Sequence, residues 1–223
     1  MGDLLLSEEL LLIALDDETG KPGTWFEKKN LHGALVCDLI ETGAVTVDRK
    51  KLRPAQPPTH PVLWQIYDKI AESKRDRSVS HWVTSGLPWT FSKPVELIGE
   101  KLVADGVLGH EEGRALGLFR TTRLPEADPG PERVLRERLR SVLVTGTEPG
   151  AHDALLITLL HAANQVKEAL SGVDADQRKV GVKRAKQIAK ELKDNPVVKA
   201  QYDAAMAAAV AAATTVAVTS GSN

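Results

Sequence analysis

The stretch "LLLSEELLLIALDDETG", residues 4–20, decides the fold because it is almost entirely apolar yet carries two adjacent glutamates. Ser7 is a suitable helix cap, and residues 10–15 supply the apolar run that follows it. Acidic residues and Gly20 then end the pattern. No basic segment precedes the apolar runs, which argues against a signal peptide. We therefore predict a short first helix that is buried in the core.

The composition favours a globular protein of near-neutral charge. At 223 residues the chain is long enough to bury a sizeable core. No linker divides it, so we expect one domain over residues 1–218 and a flexible tail over 219–223. The single Cys37 rules out an intramolecular disulfide and fits the cytoplasm. Because 29 basic residues nearly balance 30 acidic ones, any attraction to phosphate must come from local charge.

The hydrophobic pattern predicts about nine helices and two small β segments, which places the chain in the all-α class. Asn30 is expected to cap the second helix, and Gly43 to end it. The stretch "AVTVDRKKL" alternates like a strand, whereas "VLGHEEGRALGLFRTTRL" is typical of a β-hairpin. The most hydrophobic segment, "DALLITLLHAANQVKEAL", is predicted to be a central helix. Pro196 begins an alanine-rich helix that is too short and too weakly apolar to span a membrane.

One predicted helix carries a regular stripe of positive charge. Its lysines recur at helical spacing opposite an apolar face, at positions Lys179, Lys183, Lys186, Lys190 and Lys193. Two interpretations remain open from the sequence. The stripe is either a solvated face or a surface for anionic lipid or nucleic acid.

Signals for catalysis are absent from the sequence. It contains no Walker A loop, GxGxxG, HExxH or GxSxG motif, so we expect neither an enzyme nor a cofactor. His161 lies within an apolar helix and is predicted to be structural. The remaining histidines have no regular spacing, and we expect no metal site. Trp82 and Trp89 are interpreted as core anchors.

Two segments share a plan in which a helix end is followed by a glycine and then by β-prone residues. These are "LIETGAVTVDRKKL" and "LVADGVLGHEEGRALGLF". In winged-helix proteins a helix leads into a hairpin in the same way. This similarity, together with Arg120 and Arg123 on the second hairpin, supports an alternative hypothesis, a winged-helix-like DNA-binding or regulatory module.

The order of these elements resembles the Golgi phosphoprotein 3 family. The segments that carry the resemblance are "LLLSEELLLIALDDETG", "LHGALVCDLIETGAV", "HWVTSGLPW", "LVADGVLGHEEGRALGLFRTT", "LLITLLHAANQVKEAL" and "DAAMAAAVAAA". The resemblance implies one compact multi-helix domain around a four-helix centre, with a protruding β-hairpin that supports oligomerisation and membrane contact. It also implies a non-enzymatic, cytoplasmic, peripheral membrane protein that recognises phosphatidylinositol 4-phosphate. The alanine-rich character suggests a bacterial relative.

The family's lipid site uses a tryptophan before the second helix and an arginine in that helix's first turn. By the resemblance, Trp25 matches the tryptophan and His32 occupies the place of the arginine. The family has two further arginines, whose places are taken here by Ser92 and Val95, and only the neighbouring Lys93 is basic. The sequence leaves two roles open for Trp25, a packing contact or a membrane interface, and two for His32, a core position or a phosphate contact.

The expected function follows from these positions. Lys28, Lys29 and Lys93 are predicted to meet headgroup phosphate, with Trp25 at the interface. The hairpin residues Leu116, Leu118 and Phe119 are expected to reach the acyl boundary. The predicted partners are an anionic membrane lipid and a second copy of the chain bound through the hairpin. Nucleic acid is not expected.

Overall fold

A computed structural model of the protein describes residues 4–16, 19–23, 28–87, 93–115, 119–194 and 203. Within these residues there are nine helices: α1 Leu6–Ala14, α2 Lys28–Glu41, α3 Pro61–Ala71, α4 Val79–His81, α5 Pro94–Ala104, α6 Gly130–Arg140, α7 Ala151–Ala162, α8 Val166–Ala169 and α9 Ala175–Lys193. Two π-helical turns, Trp82–Gly86 and Ser141–Thr145, extend α4 and α6. Two antiparallel hairpins pair β1 Val45–Asp48 with β2 Lys51–Pro54, and β3 Glu111–Ala115 with β4 Phe119–Arg123. The predicted all-α class is confirmed. The alanine-rich helix predicted from Pro196 lies outside the described residues.

Helix α1 forms the centre of the core. All nine of its residues are buried, including Ser7, Glu8 and Glu9. It contacts four longer helices, α2, α5, α6 and α7, as well as the short α8. The prediction of a short, buried first helix is therefore confirmed. Its position requires other elements to provide partners for its polar groups, since few water molecules reach them.

The N-terminus of α1 is capped from another helix, so the prediction that Ser7 caps it is wrong. Ser7 lies inside the helix, and the carboxylate of Asp38 on α2 accepts hydrogen bonds from the backbone amides of Leu6 and Ser7, at 2.8 and 3.1 Å. Burial raises the pKa of Asp38 to about 7, although these hydrogen bonds act in the opposite direction. Glu8 accepts a hydrogen bond from the amide of Leu5 at 2.9 Å.

Helix α2 begins at Lys28, two residues before the predicted cap Asn30. Asn30 lies inside the helix and is buried, so it does not cap α2 as predicted. The other end agrees with the prediction, because Gly43 has a φ of 71° and its amide bonds to the carbonyl of Ile40.

The stretch predicted as one strand is a tight hairpin, which corrects that prediction. Asp48 pairs with Lys51, so the loop consists of Arg49 and Lys50 alone. Both residues have positive φ, 47° and 67°, as a type I′ turn requires. Glycine and asparagine favour such turns, and their absence concealed the turn in the sequence.

A third segment pairs with the free edge of β2. The amide of Leu52 bonds to the carbonyl of Arg77 at 3.0 Å, and the amide of Val79 bonds to the carbonyl of Lys50 at 2.9 Å. Residues 77–79 therefore lie beside β2 as a short strand-like edge. Leu52 is buried beneath this ribbon, while Lys51 and Arg53 are exposed.

The second predicted hairpin is confirmed, and it is fixed at its base. β3 and β4 make their principal contacts with each other, so the hairpin protrudes from the helices. At its base, the amide of Gly109 bonds to the carbonyl of Pro125, and that of Leu124 bonds to the carbonyl of Gly20 at 2.8 Å. Each hairpin follows a helix and a glycine with positive φ, Gly43 or Gly106. The two similar segments noted in the sequence therefore have the same local structure.

Helix α7 is buried over residues 154–160, as predicted for a central helix. It ends earlier than expected, because Asn164 has a φ of 58° and separates it from α8. Helix α9 packs on α7 through its apolar side, where Ala185, Ile188 and Leu192 are buried. The five stripe lysines are all exposed, which confirms the predicted division of α9 into two faces.

We predict that Gly20→Ala destabilises the fold more than Gly43→Ala. Both glycines have positive φ, but a Cβ at Gly43 meets nothing within 4 Å, whereas one at Gly20 falls 2.5 Å from the backbone nitrogen of Pro125. We expect a loss of about 1–2 kcal/mol for Gly43→Ala and roughly 2–5 kcal/mol for Gly20→Ala, measured by urea unfolding. Equal losses would show that Leu124 and Pro125 move aside.

We also predict that the double variant Arg49→Asn, Lys50→Gly is more stable than the natural sequence, by about 1 kcal/mol in urea unfolding. The substitution relieves two left-handed, non-glycine residues. The matched control is Lys74→Gln, Arg75→Gln, which removes the same number of exposed cations from a neighbouring segment. An equal gain in the control would assign the effect to charge repulsion and not to the turn.

Candidate functional site

The predicted lipid site centres on the start of α2. Lys28 and Lys29 are the first two residues of this helix, which places their backbone at its N-terminus. Trp25 lies outside the described residues, as do the side chains of Lys28 and Lys29. The structure therefore describes α2 from Lys28 onward and leaves the roles of these residues as predictions.

His32 lies one turn into α2, and its side chain is in the core. The residue is 3% exposed, and Leu31 and Leu35 beside it are fully buried. In this conformation a headgroup phosphate has no access to the imidazole. Of the two roles left open by the sequence, the geometry favours the core position.

Lys93 is exposed immediately before α5, and Pro94 occupies the first turn of that helix. Helices α2 and α5 contact each other, so the elements that carry the predicted site residues are neighbours. Val95, which takes the place of a family arginine, is 9% exposed and belongs to the core. The place of the other arginine, Ser92, lies outside the described residues.

The predicted membrane-contact residues lie at the end of the second hairpin. Phe119 is the first residue of β4, where its backbone pairs with Ala115. Its side chain, together with Leu116 and Leu118, lies outside the described residues. The hairpin that carries these residues forms as predicted, and their contact with lipid stays a prediction.

A cleft of ≈ 900 Å³ lies elsewhere, between the start of α1, α6 and the start of α7. Its apolar side includes Leu4, Leu5 and Val134, and the last of these is 57% exposed. Its other side is a network of ion pairs around Glu9. The sequence analysis missed this network, although glutamates in a mainly apolar, buried helix are a signal that basic partners lie close to them.

The network joins four helices. Glu9 on α1 pairs with Arg138 on α6 at 2.5 Å and with Nε2 of His152 on α7 at 2.9 Å. Nδ1 of His152 lies 3.1 Å from Glu41 on α2, and Arg138 also lies 2.6 Å from Asp153. These charged groups are engaged with one another, so their role is to hold α1 among its neighbours.

His152 is held in its charged form by the two glutamates. Burial alone would lower its pKa, but the hydrogen bonds to Glu41 and Glu9, and the charges of these residues, raise it to about 10. The imidazolium thus satisfies both carboxylates at neutral pH.

Among the described residues, no group of three or more His, Cys, Asp or Glu side chains is arranged to hold a metal ion. The helices in the same part of the chain include none with the length and apolar character needed to cross a bilayer. One aromatic side chain there is exposed: Trp64 on α3 is 47% accessible and lies 6.2 Å from the ring of Tyr67.

We predict that His152 makes stability depend on pH in the alkaline range. Its folded pKa lies above the unfolded value of 6.5, so its contribution is fully present below that value and is lost as the pH rises through about 10. Urea unfolding of the natural protein should therefore show a fall between about pH 7 and 10 that is smaller in His152→Gln. His110→Gln, at an exposed position, is the control. Parallel curves for the natural protein and His152→Gln would contradict the assignment.

Comparison with known protein families identifies the family of the chain. The family model described as Golgi phosphoprotein 3 (GPP34) matches residues 6–212. The match begins at the first residue of α1 and includes both hairpins and the predicted lipid-site positions, so the resemblance of the sequence is confirmed. Membership suggests lipid binding at the level of the family, without assigning a headgroup to this chain. The chain belongs to the Golgi phosphoprotein 3 (GPP34) family.

Proposed function

We propose that the protein is a non-enzymatic, peripheral membrane protein that binds anionic lipid headgroups on the cytoplasmic face of a membrane. The observation that carries the proposal is the family match over residues 6–212. The exposure of Lys93 at the start of α5, next to α2, adds a cation on an element that carries the family's site.

The proposed mechanism combines two weak signals. Lys28, Lys29 and Lys93 attract headgroup phosphates, and each lysine near an anionic surface contributes about 1 kcal/mol. Trp25 and the hairpin residues Leu116, Leu118 and Phe119 contribute apolar contact at the interface. Neither signal is sufficient for stable attachment, whereas their sum is. A second copy of the chain, bound through the hairpin, would double both signals.

The proposed lipid is any anionic headgroup. Phosphatidylinositol 4-phosphate, the headgroup that the family resemblance implies, is the more specific proposal. His32 and Val95 stand at two of the family's arginine positions, and both are buried here. A strong preference for one headgroup therefore has to come from the lysines or from residues outside the described part of the chain.

We predict that the protein floats with vesicles containing about 30% anionic lipid and not with neutral vesicles. Its net charge of -1 gives no general attraction, so local lysines must supply it. Raising the salt to about 0.5 M should release the protein, because charges at an exposed surface are screened. Equal flotation with neutral vesicles, or none with either kind, would contradict the proposal.

The site residues are tested in the same assay. Lys28→Gln, Lys29→Gln, Lys93→Gln should weaken binding on the order of 100-fold, whereas Lys183→Gln, Lys186→Gln, Lys190→Gln, with the same change of charge on α9, should not. Leu116→Ser, Leu118→Ser should weaken binding because it removes apolar contact, and the binding that remains should still be released by salt. Vesicles with phosphatidylinositol 4-phosphate and with phosphatidylserine at equal charge separate a specific headgroup from general attraction.

A further inference from the structure

A second basic surface lies on the first hairpin and on the segment that pairs with it. We call it the basic platform and define it by six cations: Arg49, Lys50, Lys51, Lys74, Arg75 and Arg77. Five of them are exposed and Arg77 is half-buried. The backbone bonds that join Leu52 to Arg77 and Lys50 to Val79 place the two segments side by side. The platform is therefore one continuous surface built from two parts of the sequence.

The carboxylates of this surface are neutralised within it. Residues 48–53 and 74–77 carry seven cations and two carboxylates, a net charge of +5 in a chain whose total is -1. Both carboxylates are held by one residue, since the guanidinium of Arg53 lies 3.3 Å from Asp48 and 3.2 Å from Asp76. The six platform cations form no ion pair within the described residues. The platform consequently presents positive charge without an internal counterion.

The turn of the hairpin adds a second, independent observation. Arg49 and Lys50 have positive φ, a backbone conformation that destabilises the folded state at each non-glycine residue. Glycine or asparagine would occupy both positions without this strain. Strained backbone persists where surrounding contacts hold it in place, and such positions are concentrated at functional surfaces. Here two long, exposed cations occupy the turn.

We propose that the basic platform docks against an anionic lipid surface as a charge contact that does not select one headgroup. This inference rests on the proposed function for its partner. It follows from the concentration of charge: the two adjacent segments carry a net charge of +5 in a chain whose total is -1, so an anionic surface is attracted to this part of the molecule. Long cations on a narrow ribbon can each follow a mobile headgroup, and the platform needs no fixed pocket.

The test is flotation of the full chain with vesicles of phosphatidylcholine containing about 30% phosphatidylserine. The platform variant is Arg49→Asn, Lys50→Gly, Lys74→Gln, Arg75→Gln, in which the turn changes favour the native turn and protect the fold. The control is Lys183→Gln, Lys186→Gln, Lys190→Gln, Lys193→Gln, which removes the same charge from α9. Residues 174–194 carry seven cations and four carboxylates, so positive charge is more dilute there. Fluorescence binding to duplex DNA is measured in parallel for all three proteins.

We expect the platform variant to lose vesicle affinity on the order of 100-fold and the control to lose less than tenfold. If the natural protein floats and the platform variant floats equally well, the platform is not a docking surface, while the proposed function stands. If the two variants lose affinity equally, binding follows total charge and the inference is wrong. If the natural protein does not float with anionic vesicles, the proposed function fails first and the inference with it. Loss of DNA binding alone in the platform variant would identify nucleic acid as the partner and overturn the lipid assignment.

Discussion

The carboxylate of Asp38 accepts hydrogen bonds from the first amides of a helix whose residues are all buried, and much of the structure follows from that arrangement. A buried helix of nine residues leaves its terminal amides without partners unless another element supplies them. Helix α2 provides that element, and Glu9 extends the same requirement to α6 and α7 through Arg138 and His152. The polar groups of α1 thus fix its register among its neighbours, which apolar packing alone specifies less sharply.

The sequence predicted what depends on local pattern. The periodicity of α9 predicted its apolar and its basic face. Gly43 and Gly106 indicated the ends of two helices, because few residues other than glycine accept positive φ. It failed where a contact between distant residues decides the outcome. Ser7 is a favourable cap in isolation, but Asp38, 31 residues away, takes that role. No local signal reveals such a partner, and the turn at Arg49 and Lys50 likewise forms without the residues that normally announce it.

For the candidate site, the resemblance located the elements and the structure determined which side chains are accessible. His32 and Val95 are aligned with family positions that carry arginine, yet both lie in the core. The sequence left both a core position and a phosphate contact open for His32, because its burial depends on the elements that pack against α2 in the folded chain. The basic platform was not predicted, because its two segments are separated by α3 and meet only in the folded chain.

The base of the second hairpin determines how that hairpin can move. A hairpin joined to a protein only by its two strands can swing about them as a hinge. Here the bond from Leu124 to Gly20 adds a third point of attachment, and the close approach at Gly20 leaves no room for a side chain between them. The backbone at Gly20 and the base of the hairpin are therefore joined directly. This attachment opposes a swing of the hairpin about its two strands, so the direction in which the hairpin leaves the helices is set at its base.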